Sequence, residues 1–501
     1  MTSTTAPETP PVTEPPAAPT LRRQVIRGSL QTVAGYGVVQ ALRLGSNLAL
    51  TRLLFPEHFG TMGLCWVALE GIELFSDVGI RPAIVHSKLG DQQSFLDTAW
   101  TIQVVRGFLV WLVACLMGPV LAWFYPEHPE LLYLLPVVGF AAVLSGFYST
   151  KVITAMKAMR PLQALGVQIF GQLCMVAVMV TLAAIYHSIW ALAIGSLVNP
   201  FVQMVVSHVV LPGTRNRLHW NRDHAKALFR YGTWVFVSTM FTFLARQTDR
   251  LMLAKFIEAA IFGVYNTALV GLSMCVEVVS HVVEWVAFPA YARKINAGEP
   301  IGSAFRRITT VIQLGAGAIV SSLIVAAPAL IDTLYDHRYE NAGWMLRILG
   351  FSAWFTVLEG CCSSLHKALG TNKWMASGHA AKFFTLLWSI PVGFSLGGGE
   401  ANLHRAIEFA LVGVAIGDVA RYAVSAYGIA RQGYLVFGRD LATSALLLTA
   451  VGIGLLAETQ LAGQPSLVRL LVGAAAASLP WVVPLAVVGL RLRREQRAEI
   501  A

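Results

Sequence analysis

The sequence predicts an all-α polytopic membrane protein with about fourteen transmembrane helices and no soluble domain large enough to host a separate enzyme. Three observations carry this. Charged residues make up only 13% of the chain against 56% hydrophobic, and the mean hydropathy is +0.62, whereas soluble domains carry about 25% charge. Apolar segments of about the 20 residues needed to cross a hydrocarbon layer recur along the chain. Lysine and arginine concentrate on one of the two sides that those segments would define. Helices are the expected form, because lipid offers no partner for an unpaired backbone N–H or C=O.

The first twenty residues are rich in Pro and Thr and cannot bury a core, so 1–27 is expected to be a disordered cytoplasmic tail. Apolar segments follow at 28–52, 59–80, 99–124, 130–150, 161–185, 188–211, 231–256, 260–290, 308–335, 343–366, 374–396, 405–430, 441–461 and 467–490. With the N-terminus in the cytoplasm, 25 of the 37 basic residues fall in cytoplasmic segments. Only Arg52, Lys255, Arg338 and Arg405 fall in the opposite loops. That asymmetry supports an even number of spans and cytoplasmic termini, and it explains the net charge of +10 without nucleic acid as a partner. The six cysteines lie in or near apolar segments with no zinc spacing, which reads as inert buried thiols.

The chain contains a weak internal repeat. Shifted by 203 positions, Arg43 meets Arg246, Leu48 meets Leu251, Arg52 meets Lys255, Phe59 meets Phe262 and Gly60 meets Gly263. Six helices separate the copies, so both start on the same side. The pattern predicts two six-helix lobes, 28–211 and 231–430, related by a pseudo-two-fold axis along the membrane normal. The cytoplasmic connection 212–230 would hinge them. Helices at 441–490 and a basic cytoplasmic tail, 491–501, lie beyond the repeat. Transporters are often built from such repeats, with the substrate between them.

Specific motifs sharpen this. Arg52-Leu-Leu-Phe-Pro56-Glu-His-Phe-Gly60 resembles the R-L-L-x-P-x-x-F-G signature of the polysaccharide transporter family, the Wzx-type oligosaccharide flippases of the multidrug/oligosaccharidyl-lipid/polysaccharide superfamily. Asp77 and Gly79, with Ala83 and Val85, resemble that family's D-x-G-x-x-x-A-x-V end of helix two, where Asp77 is expected to cap the helix. Asp249 with Leu253, followed by Gly263, Tyr265 and Asn266, resembles its D-x-x-x-L…G-x-Y-N element. Phe288-Pro289 resembles its F-P end of helix eight. The likeness covers roughly 25–430. It implies a V-shaped bacterial inner-membrane transporter. Its substrate would be an undecaprenyl-diphosphate-linked oligosaccharide, moved from the cytoplasmic to the periplasmic leaflet by alternating access. The product would be an exopolysaccharide, capsule or O-antigen, with membrane lipid, a polymerase and export machinery as partners.

Charges inside the apolar segments are the candidate functional residues, since each costs at least ~2.5–3.5 kcal/mol at the bilayer centre. Arg43, Arg246 and Arg250 are candidates to hold the diphosphate, for which the planar guanidinium fork is suited. Pairing with carboxylates that merely join helices is the alternative, and Asp249 is placed to orient or neutralise Arg246 and Arg250. Glu70, Glu73 and Asp77 form one acidic stripe, and Glu277, His281 and Glu284 another. They read as sites coupling transport to H+ or Na+, or as counter-charges to the arginines. Arg106, Glu359, Asp418 and Arg421 are further intramembrane charges. Asp418 and Arg421 are spaced to pair, and Arg347 and Lys382 are expected to snorkel toward helix ends. No cofactor, metal site, nucleotide-binding loop or hydrolase motif is expected. The competing readings are an ion-coupled drug or cation antiporter, whose cargo the mid-membrane arginines would repel, and a membrane polymerase or glycosyltransferase, which would need a large external loop.

Overall fold

The structure, a computed structural model, describes residues 21–76, 80, 84, 89, 92–157, 161–434, 437–461 and 463–500, and every regular element among them is helical. Each apolar segment falls mainly on one helix, apart from the eighth. The first lobe holds α1 (Leu21–Leu53), α2 (Pro56–Phe75), α3 (Gln93–Phe124), α4 (Leu131–Gly146), α5 (Pro161–Tyr186) and α6 (Ile189–Val209). The second holds α7 (Arg222–Phe256), α8 (Ala259–Val282), α9 (Gly302–Leu334), α10 (Asn341–Leu369), α11 (Lys373–Leu396) and α12 (Leu403–Ala430). Two more, α13 (Phe437–Gln460) and α14 (Ser466–Ile500), follow. Among the described residues, eight helices are long and apolar enough to cross a membrane by length and composition.

Several boundaries differ from the sequence reading for identifiable reasons. α7 begins at Arg222 rather than 231, because Asn221 caps it: its side-chain oxygen accepts from the backbone N–H groups of Asp223 (3.0 Å) and His224 (3.2 Å). Such a cap satisfies donors that the first turn leaves open. Residues 21–27 are helical rather than tail, and α14 runs through the basic segment to Ile500. The eighth apolar segment is interrupted by a π turn, Val283–Ala287, before a short helix Phe288–Asn296.

The helix contacts repeat with an offset of six. In the first lobe α1 lies on α5, α5 on α6, α6 on α4, and α4 on both α3 and α2. In the second, α7 lies on α11, α11 on α12, α12 on α10, and α10 on both α9 and α8. α13 and α14 pack on each other and on α9. Trp481 of α14 sits against Gly317 and donates to Ser321 Oγ at 3.1 Å. Asp440 of α13 accepts from Gln313 and Tyr422, each at 2.8 Å.

The lobes meet most closely where α2 crosses α8. A Cβ at Gly263 would lie 1.8 Å from the Pro56 carbonyl oxygen, and one at Gly60 would lie 2.1 Å from that of Ala259. Both distances are far inside van der Waals contact, so only glycine permits this crossing. Pro56 sits in the first turn of α2, where its missing N–H costs nothing. Phe59 and Phe262, the other members of the repeated Phe-Gly pair, are buried beside it.

Gly60→Ala and Gly263→Ala should therefore each destabilise the protein by about 1–3 kcal/mol, the cost of forcing an extra methyl into a closed contact. Gly45→Ala should not, since a Cβ there meets nothing within 4 Å. Thermal midpoints of the detergent-solubilised variants, read by size-exclusion, check this.

Candidate functional site

Two polar seams cross between the lobes, and they are pseudo-equivalent. Arg43 of α1 lies 3.8 Å from Glu277 of α8, which also accepts from Gln40. Glu70 of α2 accepts from Gln247 of α7 at 2.6 Å, and Gln247 in turn accepts from Arg250 at 3.2 Å. Helix pairs 1/8 and 7/2 exchange under the repeat, so each seam joins a basic helix of one lobe to an acidic helix of the other. Arg43 and Arg246 each stand ten residues before the end of their helix, about 15 Å along the axis and so near mid-membrane. The Arg43 side chain is 52% exposed. Arg246 is exposed and makes no hydrogen bond or ion pair among the described residues.

Asp249 does not serve these arginines. It is buried and accepts from the Tyr265 hydroxyl of α8 at 2.6 Å. Three residues separate Asp249 from Arg246, but here the carboxylate turns into the second lobe while the guanidinium stays exposed. The Glu277–His281–Glu284 stripe also divides. Glu277 faces α1, whereas Glu284 lies in the π turn and pairs with Lys367 of α10 at 3.2 Å, because the extra residue per turn rotates it out of register. Asp77 and Gly79 lie outside the described residues.

A cavity of about 710 Å3 opens inside the first lobe, among α2, α3, α4 and α6. Glu70, Glu73, Gln103, Arg106, Ser145, Tyr148, Ser196, Asn199 and Gln203 line it. At one edge of it α3 and α4 approach closely at Gly107 and Gly146. Arg106 does not project freely. It donates to Ser76 Oγ (3.1 Å) and to the Glu73 carbonyl (2.6 Å), closing the end of α2.

On the face away from the inter-lobe linker the lobes are clasped. Arg338, between α9 and α10, donates to the carbonyls of Thr51 (2.9 Å) and Arg52 (3.3 Å) at the end of α1. Tyr335 donates to Asn47 at 2.8 Å, and Tyr125 to the Leu251 carbonyl at 3.1 Å. The bond to Arg338 holds the Asp336 carboxyl below the usual carboxylate range, so this pair stays ionised at neutral pH. Its contribution is present above the ordinary carboxylate pKa and fades as pH falls through the lowered one. The linker itself is strapped to the first lobe: Thr101 and the His219 backbone exchange two hydrogen bonds of 3.0 Å, and Asp97 accepts from the Arg217 N–H at 3.1 Å.

The second lobe holds a buried charge cluster that the sequence only partly revealed. Lys382 of α11 reaches Asp418 of α12 at 2.8 Å, with side chains 12% and 2% exposed. It does not snorkel, because Asp418 sits within its reach in the lobe interior. Arg421 lies 3.5 Å from Asp418, 3.8 Å from Glu359 and 3.1 Å from Thr356 Oγ1. Ser352 donates to Asp418 and Ser363 to Glu359. Arg347 likewise does not snorkel but binds Glu458 of α13 at 2.6 Å. The spacing of Asp418 and Arg421 was a signal. That Lys382 and Glu359 share this cluster is not legible in the sequence, since these residues come from three helices.

Comparisons with known proteins place this geometry. A family model described as "Polysaccharide biosynthesis protein" matches residues 49–343. The teichuronic acid biosynthesis protein TuaB of Bacillus subtilis (strain 168) is 20% identical over 372 residues, 70% of this chain and 73% of that protein. The lipopolysaccharide biosynthesis protein WzxC of Escherichia coli (strain K12) is 21% identical, over 66% of this chain and 67% of its own. Among solved structures, the lipid II flippase MurJ in an inward closed conformation shares the fold with a TM-score of 0.67 at 11% identity, covering 91% of this chain and 98% of MurJ.

Removing one partner of the Lys382–Asp418 pair leaves a buried charge uncompensated, which typically costs 3–5 kcal/mol. Lys382→Met and Asp418→Asn should each lower the thermal midpoint sharply. The double variant should be less destabilised than the sum of the two, as a double-mutant cycle on purified protein will show.

Proposed function

The chain belongs to the polysaccharide biosynthesis protein family, and from that premise we propose that it flips an undecaprenyl-diphosphate-linked oligosaccharide from the cytoplasmic to the periplasmic leaflet of a bacterial inner membrane, for an exopolysaccharide, capsule or O-antigen. The observation that carries this reading is the pair of repeat-related arginines, Arg43 half-exposed and Arg246 exposed, midway along α1 and α7. A guanidinium exposed at that depth is costly, and a diphosphate headgroup supplies the charge that offsets the cost. Arg250, tied to Gln247, would complete the anion site. In this reading the linker face is cytoplasmic, in accord with its basic residues, and the clasp at Arg338 closes the periplasmic side. Flipping then consists of releasing the clasp while the lobes close over the linker face. The polymerase and export machinery would take the product.

The driving ion in this proposal is the proton. Asp418 and Glu359 are already engaged by Lys382 and Arg421, so neither is a bare carboxylate for a sodium ion. Transport into vesicles should persist when sodium is replaced by potassium and collapse with a protonophore.

The direct experiment measures lipid-linked oligosaccharide on each leaflet of inner-membrane vesicles from a host lacking the gene. Completed units should accumulate on the cytoplasmic leaflet, and surface polysaccharide should vanish. Arg43→Gln and Arg246→Gln, at wild-type abundance, should each slow flipping about tenfold or more, because a hydrogen bond to a charged group contributes about 1.5–3 kcal/mol. An unchanged pool with unchanged sidedness in the deletion host would overturn the flippase reading, and undiminished flipping by both variants would remove the diphosphate role.

A further inference from the structure

We infer that the cavity in the first lobe is a separate subsite for the uncharged sugar portion of the cargo, distinct from the arginines that face its diphosphate; this rests on the flippase reading. Its volume of about 710 Å3 falls within the roughly 300–1,000 Å3 of pockets that enclose small molecules. That suits a few sugar rings rather than a polymer.

The lining selects against phosphate. Glu70 and Glu73 bring two carboxylates, and Arg106, the one cation among the described lining residues, is already held by Ser76 and the Glu73 carbonyl. A diphosphate would be repelled there and held at Arg43 and Arg246.

The same lining selects for hydroxyl groups. Gln203 donates to Asn199 at 2.8 Å, which fixes the pair and leaves the Asn199 NH2 and the Gln203 carbonyl able to serve a ligand. Gln103 spends its NH2 on the carbonyls of Ser145, Gly146 and Tyr148 at 3.0–3.2 Å, which leaves its oxygen as an acceptor. Pro200 has no N–H to offer the Ser196 carbonyl one turn back, so that backbone acceptor is also unclaimed within the helix. Adjacent donors and acceptors, fixed in direction and bearing little cationic charge, match the vicinal hydroxyls of a sugar.

The subsite also touches the lobe seam. Glu70 lines the cavity and at the same time accepts from Gln247 of α7. A sugar hydroxyl that bonds Glu70 competes with Gln247, so filling the cavity loosens one connection between the lobes.

The test uses full-length protein in inside-out inner-membrane vesicles, with a membrane-impermeant maleimide as the probe. Ala141→Cys, on the cavity wall, reports the sugar subsite, and Leu74→Cys, on the part-exposed opposite side of the same wall, serves as a second reporter. Thr242→Cys, one turn from Arg246, reports the diphosphate site. Labelling of the unmodified chain, which has six cysteines of its own, is subtracted. Vesicles come from three hosts: one making no lipid-linked sugar, one adding only the first sugar to the lipid diphosphate, and one making the complete unit. Labelling of Thr242→Cys should slow severalfold in the second and third. Labelling of Ala141→Cys and Leu74→Cys should slow severalfold only in the third. Equal labelling of both wall positions in all three hosts, with Thr242→Cys still protected, overturns the sugar subsite and leaves the flippase reading standing. Equal protection of the wall positions by the first-sugar lipid also overturns it, because the cavity would then be taking the diphosphate end. If no position is protected in any host, the flippase reading falls and the subsite with it.

Discussion

The close crossing of α2 and α8 is the contact on which the rest of the architecture depends. Two helices that approach until backbone meets backbone need glycine at the crossing, and small residues are the usual means of such packing in lipid, where no hydrophobic effect drives helices together. Gly60 and Gly263 are equivalent under the internal repeat and meet each other near the pseudo-two-fold axis. The two lobes thus touch through the same residue from each copy. Around it the lobes share apolar contacts such as Phe59 on Tyr339 and Phe75 on Phe243, and polar ones: the Arg43–Glu277 and Glu70–Gln247–Arg250 seams, and the clasp of Arg338 on the end of α1. An apolar pivot with polar contacts around it is a joint that can rock, because each polar contact can be exchanged for a ligand or for water.

Charge is distributed between the lobes by function. In the second lobe Lys382, Asp418, Arg421 and Glu359 neutralise one another in the interior. A cluster of this kind gives little net stability, but it fixes how α10, α11 and α12 sit together, because each partner comes from a different helix or turn. In the seams, by contrast, charges are exposed or half-exposed and only loosely engaged. The first lobe adds a cavity whose polar groups are oriented by one another rather than by a cation. The molecule therefore separates a lobe whose buried charges are paired with one another from a lobe and seam that still have bonding capacity.

Much of this was legible in the sequence, and the remainder was not for physical reasons. Hydropathy marks each helix because lipid demands it, and the Phe-Gly repeat marked the pivot without saying that the two glycines meet. The start of α7 was misplaced because a cap at Asn221 extends a helix through polar residues that hydropathy ignores. The acidic stripe of α8 was read on regular helical spacing, and the π turn at 283–287 breaks that spacing. Asp249 looked like a partner for Arg246 by separation alone, but a buried Tyr265 hydroxyl lay nearer. The cavity gathers residues from 70 to 203 on four helices, and no local pattern announces such a convergence. The family match covers residues 49–343, so it spans the pivot, the Glu70–Gln247–Arg250 seam and the cavity, while Arg43 and α11 to α14 lie beyond it.

The account turns on rigid lobes that rock about the Gly60–Gly263 crossing to carry cargo. The most direct measurement places spin labels in pairs on a chain without its native cysteines, reconstituted in lipid nanodiscs. Glu127→Cys with Glu400→Cys spans the clasped face, and Arg215→Cys with Glu299→Cys spans the linker face. When lipid-linked oligosaccharide is added, the account predicts opposite changes, the first pair lengthening in the population in which the second shortens. Distances in both pairs that stay fixed while the labelled protein still moves its cargo would contradict it.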